Sequence, residues 1–186
     1  LYLHIPFCRS RCAYCDFYSI SRTPDTRFSE ALIREIEMKS AGFKDRVCDT
    51  IYFGGGTPST LTGMQLSEIM EALYKNFHIS DQAEITMEMN PCDMTEEYLA
   101  NARRLGINRL SVGVQSHNDY LLKAIDRRHD SKAAEEAVKR AIVWASIISA
   151  SISCMNFPGR HRLTLKKFEM GCPSSDQSSV CLQSDH

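Results

Sequence analysis

The chain has 186 residues, enough for one domain that buries roughly two-thirds of its unfolded surface. Its 22 basic and 23 acidic residues leave a net charge of −1, which excludes the strongly basic balance that announces a nucleic-acid partner. Eight cysteines, with neither a signal peptide nor an apolar run of transmembrane length, point to the reducing cytoplasm, where such clusters bind metal more often than they form disulfides.

The first element is a short apolar strand ending at Ile5, and Cys8, Cys12 and Cys15 follow it as a CxxxCxxC triplet. Three thiolates on one tight loop can hold three irons of a [4Fe–4S] cluster, whose usual protein complement is four cysteines. One iron then lacks a protein ligand, and an open metal position is where a small molecule binds and reacts. A zinc knuckle and half of a disulfide pair are the competing readings. A zinc site wants a fourth Cys or His nearby; Asp16-Phe17 supplies neither, and His4 lies within the strand. The first residue is Leu, and a start inside a longer reading frame is expected.

Thr23-Pro24-Asp25 reads as a helix start, with Phe28, Leu32 and Ile36 at helical spacing before Gly42. Thr50–Phe53 is a β-prone run stopped by Gly54-Gly55-Gly56, and Leu66, Ile69, Met70, Leu73, Tyr74 and Phe77 then form an apolar helical stripe, read as core packing. Glu84–Glu88 predicts a third strand, Thr95–Leu105 a helix ended by Gly106, and Arg109–Val114 a fourth strand. A short helix over Asp119–Ile125 and a longer one over Ser131–Ile142 complete the rhythm. Strands alternating with helices imply a parallel α/β sheet of about four βα units, part of a barrel. In such barrels chemistry gathers at the carboxyl ends of the strands.

The wording around the triplet, HIPFCRSRCAYC, resembles the radical S-adenosylmethionine (SAM) superfamily and, within it, the coproporphyrinogen III oxidase-like branch. The resemblance implies an incomplete radical SAM partial barrel, a [4Fe–4S] cluster on Cys8, Cys12 and Cys15, and SAM on the open iron, cleaved there to a 5′-deoxyadenosyl radical. It also implies an electron donor such as flavodoxin or ferredoxin.

Further candidates lie at the other strand ends. Gly54-Gly55-Gly56-Thr57-Pro58-Ser59 follows the second strand; glycines let backbone approach a ligand and leave N–H groups to meet it, although a glycine triplet alone is more often a turn. This stretch is similar to the family's GGGTPS, which implies that Gly55, Gly56 and Thr57 contact the methionine part of SAM. Glu88 can pair with the SAM amino group or accept from a ribose hydroxyl, against the alternative of a solvated strand end. The Gln115 amide can donate and accept at once, and the Arg127 guanidinium suits a carboxylate, with Arg128 beside it read as solvated. Tyr2 and Tyr14 occupy positions whose family counterparts contact SAM. Cys48 and Cys92 match no motif and are read as small buried hydrophobes; His117 and His129 are read as surface residues.

Oxidases of this branch carry a further cysteine two residues beyond the third, where this chain has Phe17. The Cys15-Asp16-Phe17 ending is similar instead to the HemW-type haem chaperones, which implies haem and haemoprotein acceptors as partners and leaves room for a membrane-surface association of the full-length parent. Oxygen-independent coproporphyrinogen oxidation is the alternative function, and a non-functional fragment is the third.

The resemblance covers 1–143 and stops at Trp144. Residues 144–186 read as Ser-rich, aperiodic and irregular or disordered, with Cys154, Cys172 and Cys181 at no useful spacing. The family's fifth strand is not recognisable there, and the fourth strand is expected to keep an open edge that invites aggregation. Restarting translation at the third base of the Trp144 codon, with synonymous codons, spells the family-like GFNNISIDLMYELPGKT, so a frameshift is expected. Genomic reads across codon 144 are expected to restore that frame; an intact frame running to His186 contradicts it.

Overall fold

The computed structural model describes residues 1–145, 149–154 and 181–183. Strand β1 (Tyr2–Ile5) leads into the cysteine loop, whose ends are joined by a two-residue parallel pair, β2 (Phe7–Cys8) and β3 (Ile20–Ser21). Helix α1 (Thr26–Ser40) carries the chain to β4 (Val47–Gly55), which lies parallel to β1 with Tyr2 opposite Tyr52 and Ile5 opposite Gly55. Helix α2 (Gly63–Asn76) connects to β5 (His78–Met89), α3 (Glu96–Arg104) to β6 (Arg109–Gln115), and α4 (Asp119–Ala124) and α5 (Ser131–Ala145) follow. Parallel neighbours require such long crossovers. The helix starts are set locally: Asp25 accepts from the Phe28 N–H, Thr95 from the Tyr98 N–H, and Thr62 with Gln65 forms a reciprocal capping box.

Side chains alternate across each strand, so the sheet has two unlike faces. Leu3 and Ile5, Ile51 and Phe53, Ile85 and Met87, and Leu110, Val112 and Val114 are buried in one core with Leu66, Ile69, Met70 and Leu73 of α2 and Leu99 and Ala102 of α3. The intervening positions are Tyr2 and His4, Tyr52, Thr86 and Glu88, and Arg109, Ser111 and Gln115. The helix-covered face is therefore apolar, and the other face carries the groups able to do chemistry.

Two expectations are corrected, for the glycine run and for the edge of the fourth strand. The glycines do not stop the second strand: β4 runs through Gly54 and Gly55 because both pair with β1. The expected tail boundary falls inside α5, where Trp144 is 6 % exposed and its indole N–H donates to the Leu99 carbonyl at 3.3 Å. The fourth strand also has no open edge. Strand β7 (Ser149–Cys154) lies parallel along β6 from Arg109 to Gln115, and β8 (Cys181–Gln183) lies along β7. The sheet of the described residues thus has the order β1-β4-β5-β6-β7-β8. Ser149-Ala150-Ser151-Ile152-Ser153-Cys154 alternates serine with less polar residues, a period of two hidden in a serine-rich composition. Cys172 and the rest of 155–180 lie outside the described residues. Among the described residues no helix is long and apolar enough to cross a membrane.

The indole of Trp144 is a large core side chain near the end of α5, so Trp144→Ala is expected to cost about 3–5 kcal/mol of stability, read from urea midpoints. An unchanged midpoint contradicts its place in the core.

Candidate functional site at the carboxyl ends of the strands

The three cysteines occupy a loop whose tight turn is closed by the Cys15 N–H donating to the Cys12 carbonyl at 3.2 Å. All three are half-buried and free of disulfides. The loop is held from two sides. On one, the Cys8 sulfur lies 3.3 Å from the Thr57 hydroxyl. On the other, the Arg127 guanidinium donates to the Cys12 sulfur at 3.4 Å and, through its other terminal nitrogen, to the Gly113 carbonyl, while the Ala13 N–H donates to the Ile125 carbonyl at 3.2 Å. Among the described residues no three His, Cys, Asp or Glu side chains converge to hold a single metal ion. A cluster instead takes one thiolate per iron, and a loop bearing three separate thiols suits that demand.

Arg127 Nε is buried and has no hydrogen-bond partner among the described residues. A buried donor without a partner is costly, and here it lies beside the thiols, where an anionic group would satisfy it. Tyr14 is hydrogen-bonded with Cys12, and burial pushes its phenol up to about 12, so it is neutral at physiological pH. Gln115 sits in the left-handed region at φ 69°, at a register shift that ends β6. Its amide lies over Gly113, where an added Cβ would be 3.1 Å from Nε2.

The glycine turn differs from expectation in what its amides do. The Gly56 N–H donates to the Ile5 carbonyl at 2.9 Å and the Thr57 N–H to the Phe7 carbonyl at 2.8 Å, while the Gly55 N–H donates to the Glu88 carboxylate. These groups are therefore engaged within the chain rather than presented to a ligand. The missing side chains explain the glycines: a Cβ at Gly56 would lie 2.8 Å from the Phe7 carbonyl oxygen, and one at Gly55, where φ is +111°, would meet the His4 ring at 2.7 Å.

Glu88 is no solvated strand end. It accepts from the Tyr52 hydroxyl at 2.7 Å as well as from Gly55. Tyr52 stacks against Tyr2 with ring centroids 6.2 Å apart, and the Tyr2 hydroxyl meets His4 Nδ1 at 3.1 Å. The site residues expected from the sequence thus fall into three adjoining groups: Cys8 with Thr57; Cys12 and Tyr14 with Arg127, which shares Gly113 with Gln115; and Glu88 and Gly55 with Tyr52 and Tyr2. Gly56 anchors the first group to β1.

Sequence reasoning missed Tyr52, Asp93 and His129. Tyr52 was accessible through the period of two, which places it on the face of Tyr2 rather than of Ile51 and Phe53. The Asp93 side chain is 5 % exposed and pairs with Arg128 Nη1 at 3.4 Å; Arg128 is exposed, as expected, but carries this ion pair. His129 is not a surface residue: it is 3 % exposed, and its Nε2–H donates to the Val114 carbonyl at 2.8 Å. A carbonyl only accepts, which fixes the tautomer. His117 is exposed as expected. Cys48 is half-buried and Cys92 exposed, contrary to the expectation of buried thiols, because both lie near strand ends rather than under helices.

Burial raises the Glu88 carboxyl above its ordinary range, against the opposing pull of Tyr52 and Gly55. A raised carboxyl favours the folded state while protonated, so this contribution is present below the ordinary value and lost as pH rises through the raised one. Glu88→Gln is expected to remove that loss, flattening the urea midpoint between about pH 4 and pH 7 relative to the parent. Parallel curves contradict it.

A family model described as the radical SAM superfamily matches residues 2–146. The haem chaperone HemW of Buchnera aphidicola subsp. Schizaphis graminum is 39 % identical over 142 residues, covering 75 % of this chain and 38 % of the relative. The oxygen-independent coproporphyrinogen III oxidase of Salmonella typhimurium is 36 % identical over 135 residues, covering 71 % of this chain and 30 % of the relative. Among solved structures, the Escherichia coli coproporphyrinogen III oxidase, described as a radical SAM enzyme, superposes with a TM-score of 0.74 at 31 % identity, over 83 % of this chain and 36 % of the other. The chain therefore spans about a third of the length of these relatives, and it belongs to the radical SAM superfamily.

Proposed function

We propose that this chain is the cluster- and SAM-binding part of a cytoplasmic haem chaperone of the HemW type. The observation that carries the choice is Phe17, 71 % exposed two residues beyond Cys15, where the resemblance to the oxidases requires another cysteine. The oxidase remains the second reading, favoured by the likeness to the Escherichia coli enzyme. Haem and haemoprotein acceptors, an electron donor and any membrane-surface contact belong to the whole protein.

The donor set fits the cofactors that the family implies. Cys8, Cys12 and Cys15 would each hold one iron, and a [4Fe–4S] cluster with SAM on its open iron supplies one-electron cleavage of a sulfonium. The remaining residues bind and orient. The Arg127 guanidinium balances thiolate charge at Cys12 and keeps an unpartnered buried Nε for a carboxylate. The Glu88 carboxylate, aimed by Tyr52 and Gly55, retains lone pairs for an ammonium or a ribose hydroxyl. Gln115 offers its amide from the end of β6, and Tyr2 and Tyr14 supply aromatic walls. Gly56 and Thr57 act by carrying the loop to the cysteines.

Anaerobic reconstitution with iron and sulfide is expected to give about four irons per chain, and Cys12→Ser to lose them. In the whole protein with its frame restored, a haem-binding difference spectrum without porphyrinogen decarboxylation supports the chaperone. Decarboxylation of coproporphyrinogen overturns it in favour of the oxidase.

A further inference from the structure

One buried carboxylate near the cysteine loop has no role in the reading above. Asp93 closes the short turn over Pro91–Asp93 that follows β5, and its side chain is 5 % exposed. A carboxylate so buried must be paired, and its partners come from three separate segments. Oδ2 accepts from the Ser59 hydroxyl at 2.9 Å, and that hydroxyl in turn accepts from the Asn90 N–H at 3.1 Å. Oδ1 faces Arg9 Nε at 3.6 Å and Arg128 Nη1 at 3.4 Å.

The chain positions of these partners give the contact its meaning. Arg9 directly follows Cys8, and Ser59 lies two residues beyond Thr57, whose hydroxyl meets the Cys8 sulfur. Arg128 directly follows Arg127, which donates to the Cys12 sulfur. A single negative charge thus ties the flank of Cys8 to the flank of the residue that holds Cys12. Two guanidiniums share one oxygen, so removing the carboxylate or either guanidinium breaks the tie between those flanks.

We propose that Asp93 is a positioning residue, a clasp that sets the spacing of the cysteine loop through Arg9 and Arg128. What the loop holds rests on the cluster reading; the clasp itself belongs to the thiol loop with or without metal. It acts on the cysteines through their neighbours and touches none of their sulfurs in this arrangement.

The test is the alkylation of the reduced, metal-free full chain by iodoacetamide, with each cysteine followed by peptide mass spectrometry. Asp93→Asn keeps an oxygen for the Ser59 hydroxyl but removes the charge. It is expected to raise the Cys8 rate about fivefold at low salt, while Cys48 on β4, away from the clasp, keeps its rate and serves as the internal reference. Arg9→Met is expected to do the same, and the double variant to add nothing to either single one. Salt at about 0.5 M is expected to move the parent toward the variants and leave the variants unchanged. Equal Cys8 rates in the parent and Asp93→Asn overturn the proposal. So does a joint rise of Cys8 and Cys48, which marks general loosening. Iron uptake by the parent is measured separately: failure there overturns the cofactor reading, and the alkylation rates still decide the clasp.

Discussion

The site depends on one steric constraint, the laying of the Gly55-Gly56-Thr57 backbone against β1 and the start of β2. No Cβ fits at Gly56 between the Ile5 and Phe7 carbonyls, and the His4 ring fills the space at Gly55. Because the gap is closed, the Gly56 and Thr57 amides reach those carbonyls. The same approach brings the Thr57 hydroxyl to Cys8 and turns the Gly55 N–H toward Glu88. Two of the three adjoining groups are assembled by this one contact. The third, around Cys12, is assembled from the far side by Arg127, whose position follows from the left-handed turn at Asp126.

The sheet then decides which residues face the chemistry. Its helix-covered side is filled by aliphatic and aromatic residues, so polar side chains on the strands can point only to the other side without desolvation cost. That side gathers Tyr2, His4, Tyr52, Glu88 and Gln115 at neighbouring positions of parallel strands. Partial burial there has electrostatic effects: it raises the phenols of Tyr14 and Tyr52 and the carboxyl of Glu88. The Tyr52 phenol accordingly stays a donor to Glu88 through the physiological range.

Much of this was legible in the sequence, for stated physical reasons. The helical stripe from Leu66 to Leu73, the capping residues Asp25 and Thr95 and the strand of Arg109–Val114 are local signals, and each element formed where its signal lay. The CxxxCxxC loop and the strand-end residues carry strong spacing and type information. What escaped depends on contacts between distant segments. Nothing near Asp93 announces that Arg9 and Arg128 converge on it, and nothing near His129 shows that Val114 supplies an acceptor. The Gly56 and Thr57 amides looked free because their acceptors, Ile5 of β1 and Phe7 of β2, lie about fifty residues earlier. Strand β7 escaped because serine masks a period of two, and its pairing with β6 is a tertiary fact.

The central claim is that three thiolates on one loop hold an iron cluster with one corner open to a sulfonium nucleotide. Electron paramagnetic resonance of the anaerobically reconstituted, reduced chain, recorded before and after adding SAM, tests it most directly. The account predicts the signal of a reduced four-iron cluster, altered in shape by SAM because the ligand binds iron itself. A spectrum that SAM leaves unchanged, or a preparation that holds zinc in place of iron, contradicts it.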